Sequence, residues 1–400
     1  MVIKPIIKGV VARSAHPLGC QEAIRRQIAY CQSAPQIQNG PKTALILGAS
    51  SGFGLASRIS LAFGGSEADT LGVSFERGPS EKGVGTAGWY NNIYFKQAAE
   101  QCGIKAINLI GDAFSQKLRQ QVIETIKTEL GGKVDLVVYS LASGIRPKPN
   151  TNQFWHSAIK PISSPVHGTS INIEQGELIE TTLPPASEQE IHDTIKVMGG
   201  EDWSEWIALL NEAGVLAEGS KTVAYSYIGP KATYPIYHHG TLGQAKVDLH
   251  NKADAIYLQL QKLGGEAHVA VCKALVTKAS VFIPGFSPYI LALFKVMKEM
   301  GLHEGCIEQT QRLFNSKFYT ATREAITDDN RLIRLDDWEL RDDVQQAVMT
   351  LLSQITPDNF KQIGDYDGYL SDFLQLNGFG FDNIDYQQDI SMDFLKNLTP

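Results

Sequence analysis

Between Tyr225 and Lys246 the chain reads YSYIGPKATYPIYHHGTLGQAK, with four tyrosines and two lysines. A buried phenol beside an ammonium group can give a proton, or a hydrogen bond, to an oxygen on which negative charge develops, and the cation favours ionisation of the phenol. That chemistry serves the reduction of a carbonyl, or of a carbon–carbon double bond conjugated to one. Two pairings are open. Tyr227 and Lys231 enclose three residues, the spacing that puts two side chains on one face of a helix. Gly229 and Pro230 inside that spacer argue against a continuous helix. Tyr237 and Lys246 enclose eight residues, and Lys246 follows Gly243-Gln-Ala at the front of an amphipathic helical pattern, which makes its position rigid. The second pairing is the better one. Ten residues before Tyr237 stands Tyr227, closing the β-branched run KTVAYSYI.

A second constellation lies upstream. LILGASSGFGLASR places Gly48, Gly52 and Gly54 directly after an apolar strand pattern and at the opening of a helix. Glycines permit the tight turn and the close backbone approach to a pyrophosphate, and the helix N-terminus offers unpaired N–H groups to the anion. Glu76 follows the next strand, placed to accept hydrogen bonds from an adenosine ribose and to repel a 2′-phosphate, which favours NADH over NADPH. Arg77 beside it is the residue that would instead accommodate that phosphate. Asp112-Ala113 and Leu141-Ala142 end two further strands and are placed to touch adenine and ribose. Asp112 also reads as a helix N-cap.

The elements that must hold these groups alternate in kind. TALILG, TLGVSF, IKAINLI and VDLVVYS read as strands, with helices between them, NNIYFKQAAEQCG and QKLRQQVIETIKTELGG among them. Short apolar runs joined through helices imply right-handed βαβ units: a doubly wound parallel sheet of Rossmann type with helices on both faces. Residues 144–220 interrupt the pattern with RPKPN, KPISSP and TLPP, and read as a large, mostly helical insertion forming part of a substrate pocket or lid. The sheet resumes at KTVAYSYI, a helix runs from about Leu242 to Leu263, and HVAVCKALVT is the next strand. Residues 287–400 read as a mostly helical extension of the same domain.

Composition narrows the field. A net charge of −7 with no Lys/Arg block argues against a nucleic-acid partner. Five cysteines, Cys20, Cys31, Cys102, Cys272 and Cys306, are odd in number and widely spaced, as in a reduced cytoplasmic protein. No apolar run approaches membrane-spanning length.

The glycine array with a late tyrosine and lysine resembles the short-chain dehydrogenase/reductase superfamily. YSYIGP, YPIYHHGTLGQAK, GASSGFGLASR, GTAGWYN and ALVT, in a chain of 400 residues, narrow the resemblance to FabV-type enoyl-acyl-carrier-protein reductases and the related trans-2-enoyl-CoA reductases. The resemblance implies NADH as cofactor, an acyl thioester on acyl carrier protein or coenzyme A as substrate, and a monomer. It assigns the proton donor to Tyr237, the substrate-contacting tyrosine to Tyr227 and the cofactor lysine to Lys246. Cofactor positions fall on Gly48, Ala49, Ser50, Ser51, Gly52, Phe53, Phe75, Glu76, Asp112, Ala113, Leu141, Ala142, Leu275, Val276 and Thr277. Phe53 stands where the family pattern has a tyrosine, and SGIRPKP replaces a more basic run.

Other readings compete. A ketoreductase would use Ser226 in place of Tyr227, and a nucleotide sensor would keep the fold without turnover. His238-His239 lack partners at metal-ligand spacing and read as loop histidines. DYDGYLSDF lacks the regular acidic spacing of a calcium loop and reads as a solvated loop. Ser50 and Ser51 read as phosphate-facing or capping groups, Trp203 and Trp206 as packing, and KGVGTAGWYNN as a loop over cofactor or acyl chain.

Overall fold

The computed structural model describes every residue except Lys82 and Arg323; Lys82 opens the KGVGTAGWYNN stretch. Seven strands form the main sheet: β1 (Thr43–Leu47), β2 (Asp69–Ser74), β3 (Ala106–Ile110), β4 (Val134–Tyr139), β5 (Leu216–Ser226), β6 (Glu266–Val271) and β7 (Leu332–Arg334). Their spatial order is 3-2-1-4-5-6-7, and every neighbouring pair is parallel. The order reverses between β1 and β4, so the crevice of a doubly wound sheet opens at the carboxyl ends of those two strands.

Alternation along the strands explains why both faces are covered. Leu45 and Leu47 join a core with α4 (Gln116–Glu129), α6 (Glu201–Glu212) and α7 (Thr241–Leu260), after α1 (Pro17–Ser33), α2 (Gly52–Phe63), α3 (Ala87–Gln101) and α5 (Glu188–Met198) are placed elsewhere. Ala44 and Ile46 face the other way, against Leu61 of α2 and Phe314 and Phe318. Trp203 and Trp206 are fully buried in the first of these layers. The Trp203 indole donates to Thr222 Oγ1 at 2.9 Å, and that hydroxyl donates on to the Val137 carbonyl, which staples α6 across β4 and β5.

Two expectations change, and a third gains a strand. Residues 144–220 are not mostly helical. Two antiparallel hairpins, Ile145–Pro147 with Phe154–His156 and Val166–Asn172 with Glu177–Leu183, precede α5 and α6. Strands exposed along most of their length, such as ELIETTL, carry polar residues and lose the apolar signal that marks buried ones. The segment 287–400 contains α8 (Ser287–Glu299), α9 (Cys306–Arg312), α10 (Asp342–Leu352), α11 (Phe360–Ile363), α12 (Tyr366–Gln375) and α13 (Met392–Asn397), but also β7, whose three residues complete the sheet beside β6. DYDGYLSDF is a helix, not a solvated loop: Asp365 caps α12 by accepting the Gly368 N–H, and Tyr366, Tyr369 and Phe373 are buried. Within KGVGTAGWYNN the chain is helical from Ala87. Among the described residues no helix is long and apolar enough to cross a membrane.

Candidate active site

The turn from β1 to α2 is shaped by absent side chains. Gly48 has φ +89°, and a Cβ there would sit 2.3 Å from the Ser140 carbonyl oxygen at the end of β4. A Cβ on Gly54 would lie 2.0 Å from the Gly48 carbonyl oxygen. Neither backbone neighbour can retreat, so both positions require glycine. Gly48 and Ala49 donate to the Val73 carbonyl, and the Asn91 amide donates to the Ser50 carbonyl, so the turn is fixed before any ligand arrives. Ser51 occupies the cap position of α2 without a side-chain cap bond, which leaves the first N–H groups of the helix available to an anion.

Ser50 turns its side chain toward Glu76. Its hydroxyl donates to Glu76 Oε1 at 2.6 Å, while the Thr86 hydroxyl donates to Oε2. Gly88 makes room for this carboxylate, since a Cβ there would lie 2.0 Å from Oε1. Phe75 beside it is 81% exposed, an apolar face held in water. Asp112 accepts the Phe114 N–H in a local turn, and the N-cap of α4 is Ser115 instead. Ala113 is buried, Leu141 partly buried and Ala142 exposed. After β6, Leu275 and Val276 are buried, and the Thr277 hydroxyl is bonded to Ser280. All these positions follow the carboxyl ends of sheet strands and share one edge of the sheet.

The tyrosines divide by role in the structure. Tyr227 and Lys231 share no helix: Tyr227 follows β5, Gly229 turns the chain at φ +74°, and Lys231 is exposed. Tyr237 is 6% exposed, and its ring meets Tyr227 edge-on at 4.9 Å. The Tyr237 carbonyl accepts the N–H groups of both Gly240 and Gly243, which ties this residue to the first turn of α7. Lys246 lies three residues beyond Gly243 on that helix. The eight-residue spacer is thus a loop capping the helix that carries the lysine.

Electrostatics follow burial. Desolvation pushes the Tyr237 phenol up, so it stays protonated near neutrality, and among the described residues its hydroxyl has no hydrogen-bond partner. Burial lowers the Lys246 ammonium to about 8, and it donates to the Tyr225 carbonyl at 3.1 Å. Tyr225 itself stacks on Phe53 with ring centroids 5.1 Å apart, joining the β1 turn to β5. Ser226 is 5% exposed and bonded to His250 Nε2 at 2.9 Å, on the strand face opposite its neighbours, where it cannot take the place of Tyr227. His238 and His239 are exposed and lie against Tyr234. Among the described residues no group of three or more His, Cys, Asp or Glu is arranged to hold a metal.

Distant segments close the site. The insertion reaches the α7 N-terminus, where the Thr241 N–H donates to the Lys160 carbonyl and the Thr241 hydroxyl to the Ala158 carbonyl. Glu339, from beyond β7, accepts the Tyr227 hydroxyl at 3.1 Å. Sequence reading missed Glu339, which in DDWELRDD looks like one more solvated acid. A cavity of about 300 Å³ lies beyond the Thr277–Ser280 turn, lined in part by Ile171, Ile179, Val281, Phe282, Ile290 and Tyr369.

Three family models cover the chain: the NAD(P)H binding domain of trans-2-enoyl-CoA reductase over residues 2–81, the trans-2-enoyl-CoA reductase catalytic region over 83–319, and an enoyl reductase FAD binding domain over 327–390. Over the full length of both chains, the sequence is 63% identical to an NADH-dependent enoyl-acyl-carrier-protein reductase of Photobacterium profundum and 52% identical to a trans-2-enoyl-CoA reductase of Clostridium beijerinckii. The fold matches that of a Treponema denticola trans-2-enoyl-CoA reductase in complex with NAD, with TM-score 0.92, 43% identity and 98% of each chain covered. The glycine turn and the open α2 N-terminus fit a dinucleotide. Residues 327–390 do not fit a flavin: β7 is followed by Asp336, Asp337 and Glu339 with no glycine turn, and the next helix, α10, opens on Asp342 and Asp343, whose charges repel a phosphate. The chain belongs to the trans-2-enoyl-CoA reductase family.

Proposed function

We propose that this chain uses NADH to reduce the C2–C3 double bond of trans-2-enoyl thioesters carried on acyl carrier protein or coenzyme A, with Tyr237 as proton donor. The Tyr237 phenol carries this reading: it is buried, protonated, unpartnered among the described residues, and locked to the helix that bears Lys246. NADH, when bound, supplies the hydride. On the substrate, addition at C3 leaves an enolate whose charge sits on the thioester oxygen, and protonation at C2 completes the reduction. A neutral phenol aimed at that oxygen stabilises the charge as it develops, by a few kcal/mol for a well-placed donor.

The remaining residues bind and orient. Ser51, Gly52 and Phe53 present backbone N–H groups to the pyrophosphate beside the turn that Gly48, Ala49 and Ser50 shape, and Glu76 accepts the adenosine ribose while disfavouring a 2′-phosphate. Phe75, Asp112-Ala113 and Leu141-Ala142 border the adenosine half. Lys246 holds the nicotinamide ribose, and Leu275, Val276 and Thr277 border the nicotinamide, with the Thr277 hydroxyl toward its carboxamide. Tyr227 borders the reacting carbons. The hairpin of residues 166–183 walls the cavity beyond Thr277, whose size suits a short acyl chain. Five free cysteines, three of them buried, suit a reducing cytoplasm.

Substrate-dependent oxidation of NADH tests the reading, with crotonyl-CoA and acetoacetyl-CoA supplied in parallel. Oxidation with crotonyl-CoA and none with acetoacetyl-CoA is expected. Turnover of acetoacetyl-CoA with no turnover of any enoyl thioester would establish a ketoreductase instead.

A further inference from the structure

The mechanism above makes no use of the carboxylate that reaches Tyr227 from 112 residues away. Glu339 is completely buried. Its Oε1 accepts the Tyr227 hydroxyl at 3.1 Å and the Tyr289 hydroxyl at 2.6 Å, and its Oε2 accepts the Ala274 N–H at 2.8 Å. Gln345 closes the far side, donating to the Glu339 carbonyl and to the Tyr289 oxygen. One side chain therefore binds together the end of β5, the first turn of α8 and the segment after β6 that runs on to Leu275, Val276 and Thr277. Lys273, 2% exposed and bonded to the Ala274 carbonyl, places a positive charge in the same pocket.

A tyrosine hydroxyl has one proton to give. The proton that Tyr227 gives to Glu339 cannot also be given to a thioester oxygen. We propose that Glu339 is a positioning residue for the reduction: by accepting the Tyr227 hydroxyl it holds the Tyr227 ring edge-on against Tyr237 and leaves Tyr237 as the lone phenol donor to the enolate. The inference rests on the reading of the site as an enoyl-thioester reductase. It goes further in assigning Tyr227 a role through its ring rather than its proton, and in giving the C-terminal extension a part in turnover.

A double-mutant cycle on the full-length enzyme decides it, with crotonyl-CoA and NADH as substrates. Tyr227→Phe removes the hydrogen bond at its donor end, and Glu339→Gln weakens it at the other by replacing the charged acceptor with a neutral amide. Each should lower kcat by roughly tenfold, the scale of one hydrogen bond to a charged group. The double variant should fall no further than either single one, and KM for NADH should stay within about twofold, a split that general loosening of the fold would not produce. Two results would overturn the proposal: Tyr227→Phe losing a hundredfold or more while Glu339→Gln keeps the native kcat, or additive losses. Where Glu339→Gln fails to fold, Tyr227→Phe alone decides, because it leaves the carboxylate its other two donors; a loss near tenfold supports the proposal and a hundredfold loss sinks it. The native rate on crotonyl-CoA tests the underlying reading, and the ratios of variant to native test the inference.

Discussion

The turn after β1 and the turn after β5 stand at the same edge of the sheet and are built on opposite principles. The first is made of backbone from one short stretch, with Gly48 and Gly54 packed so closely that no side chain fits. The second is made of side chains gathered from the whole chain: Tyr237 set by Tyr227, Tyr227 held by Glu339, and the helix beneath them tied to the insertion at Lys160. The difference follows from the task. An anion is recognised by N–H groups that any local turn can present, whereas a phenol must be oriented to within a fraction of an ångström, which takes packing from every side. Damage to the first turn should therefore appear as lost binding, and damage to the second as lost turnover with binding intact.

The sharpest break of that contrast would come at Tyr237. Tyr237→Phe should lower kcat on crotonyl-CoA by roughly 10²–10⁴, the range for a lost proton donor, while the Kd for NADH measured by fluorescence stays within about twofold. Equal losses in kcat and binding would erase the distinction between the two turns.

Lys246 belongs to both regions, and its variants should show mixed behaviour. Lys246→Met should raise KM for NADH by roughly 10–100-fold, from hydrogen bonds of a charged donor worth ~1.5–3 kcal/mol. In the native enzyme the same KM should rise as pH passes about 8, where the folded chain loses this ammonium. The sign for stability is the reverse. The depressed pKa means that the unfolded chain holds the proton more tightly, so the cost of the buried ammonium fades as pH climbs from about 8 toward the unfolded value near 10.5. Removing that charge should raise the melting temperature of the cofactor-free protein by roughly 1–3 °C at pH 7. A lower melting temperature for Lys246→Met would show that the ammonium stabilises the fold.

Smaller effects are expected at the β1 side. Glu76→Gln should narrow the preference for NADH over NADPH by roughly tenfold, read as a ratio of kcat/KM values, since one charge-assisted contact is lost and one repulsion relieved. An unchanged ratio would pass the discrimination to Arg77. Phe75→Ala should weaken NADH binding by roughly two- to tenfold, the scale of an aromatic contact. Because Phe75 is 81% exposed, the melting temperature should not move, and a clear drop would reveal a packing role.

What the sequence discloses divides along the same line. The first four strands and the glycine turn are legible because each depends on residues near one another in the chain. The two hairpins of the insertion are hidden because their strands are at most partly buried and carry Thr, Glu and His where a buried strand carries Val and Ile. β7 is hidden by its length of three residues and by its place amid helices. Glu339 cannot be distinguished from its acidic neighbours until the fold brings Tyr227, Tyr289 and the Ala274 amide to it. The bond from the Ser50 hydroxyl to Glu76 is hidden for a related reason, since the two residues stand 26 apart in the chain.

The cap on α7 has a consequence for how this chain can vary. One carbonyl, that of Tyr237, receives two N–H groups from the start of the helix, so the distance from phenol to ammonium is counted in residues. An α-helix turns about 100° per residue. Removing a single residue from the loop between them would leave the loop closed and the helix intact, yet swing Lys246 about a quarter-turn away from the crevice. Exchanges at the exposed His238 and His239 should pass unnoticed by the same geometry. In this chain the loop is free to change its letters and bound to keep its length.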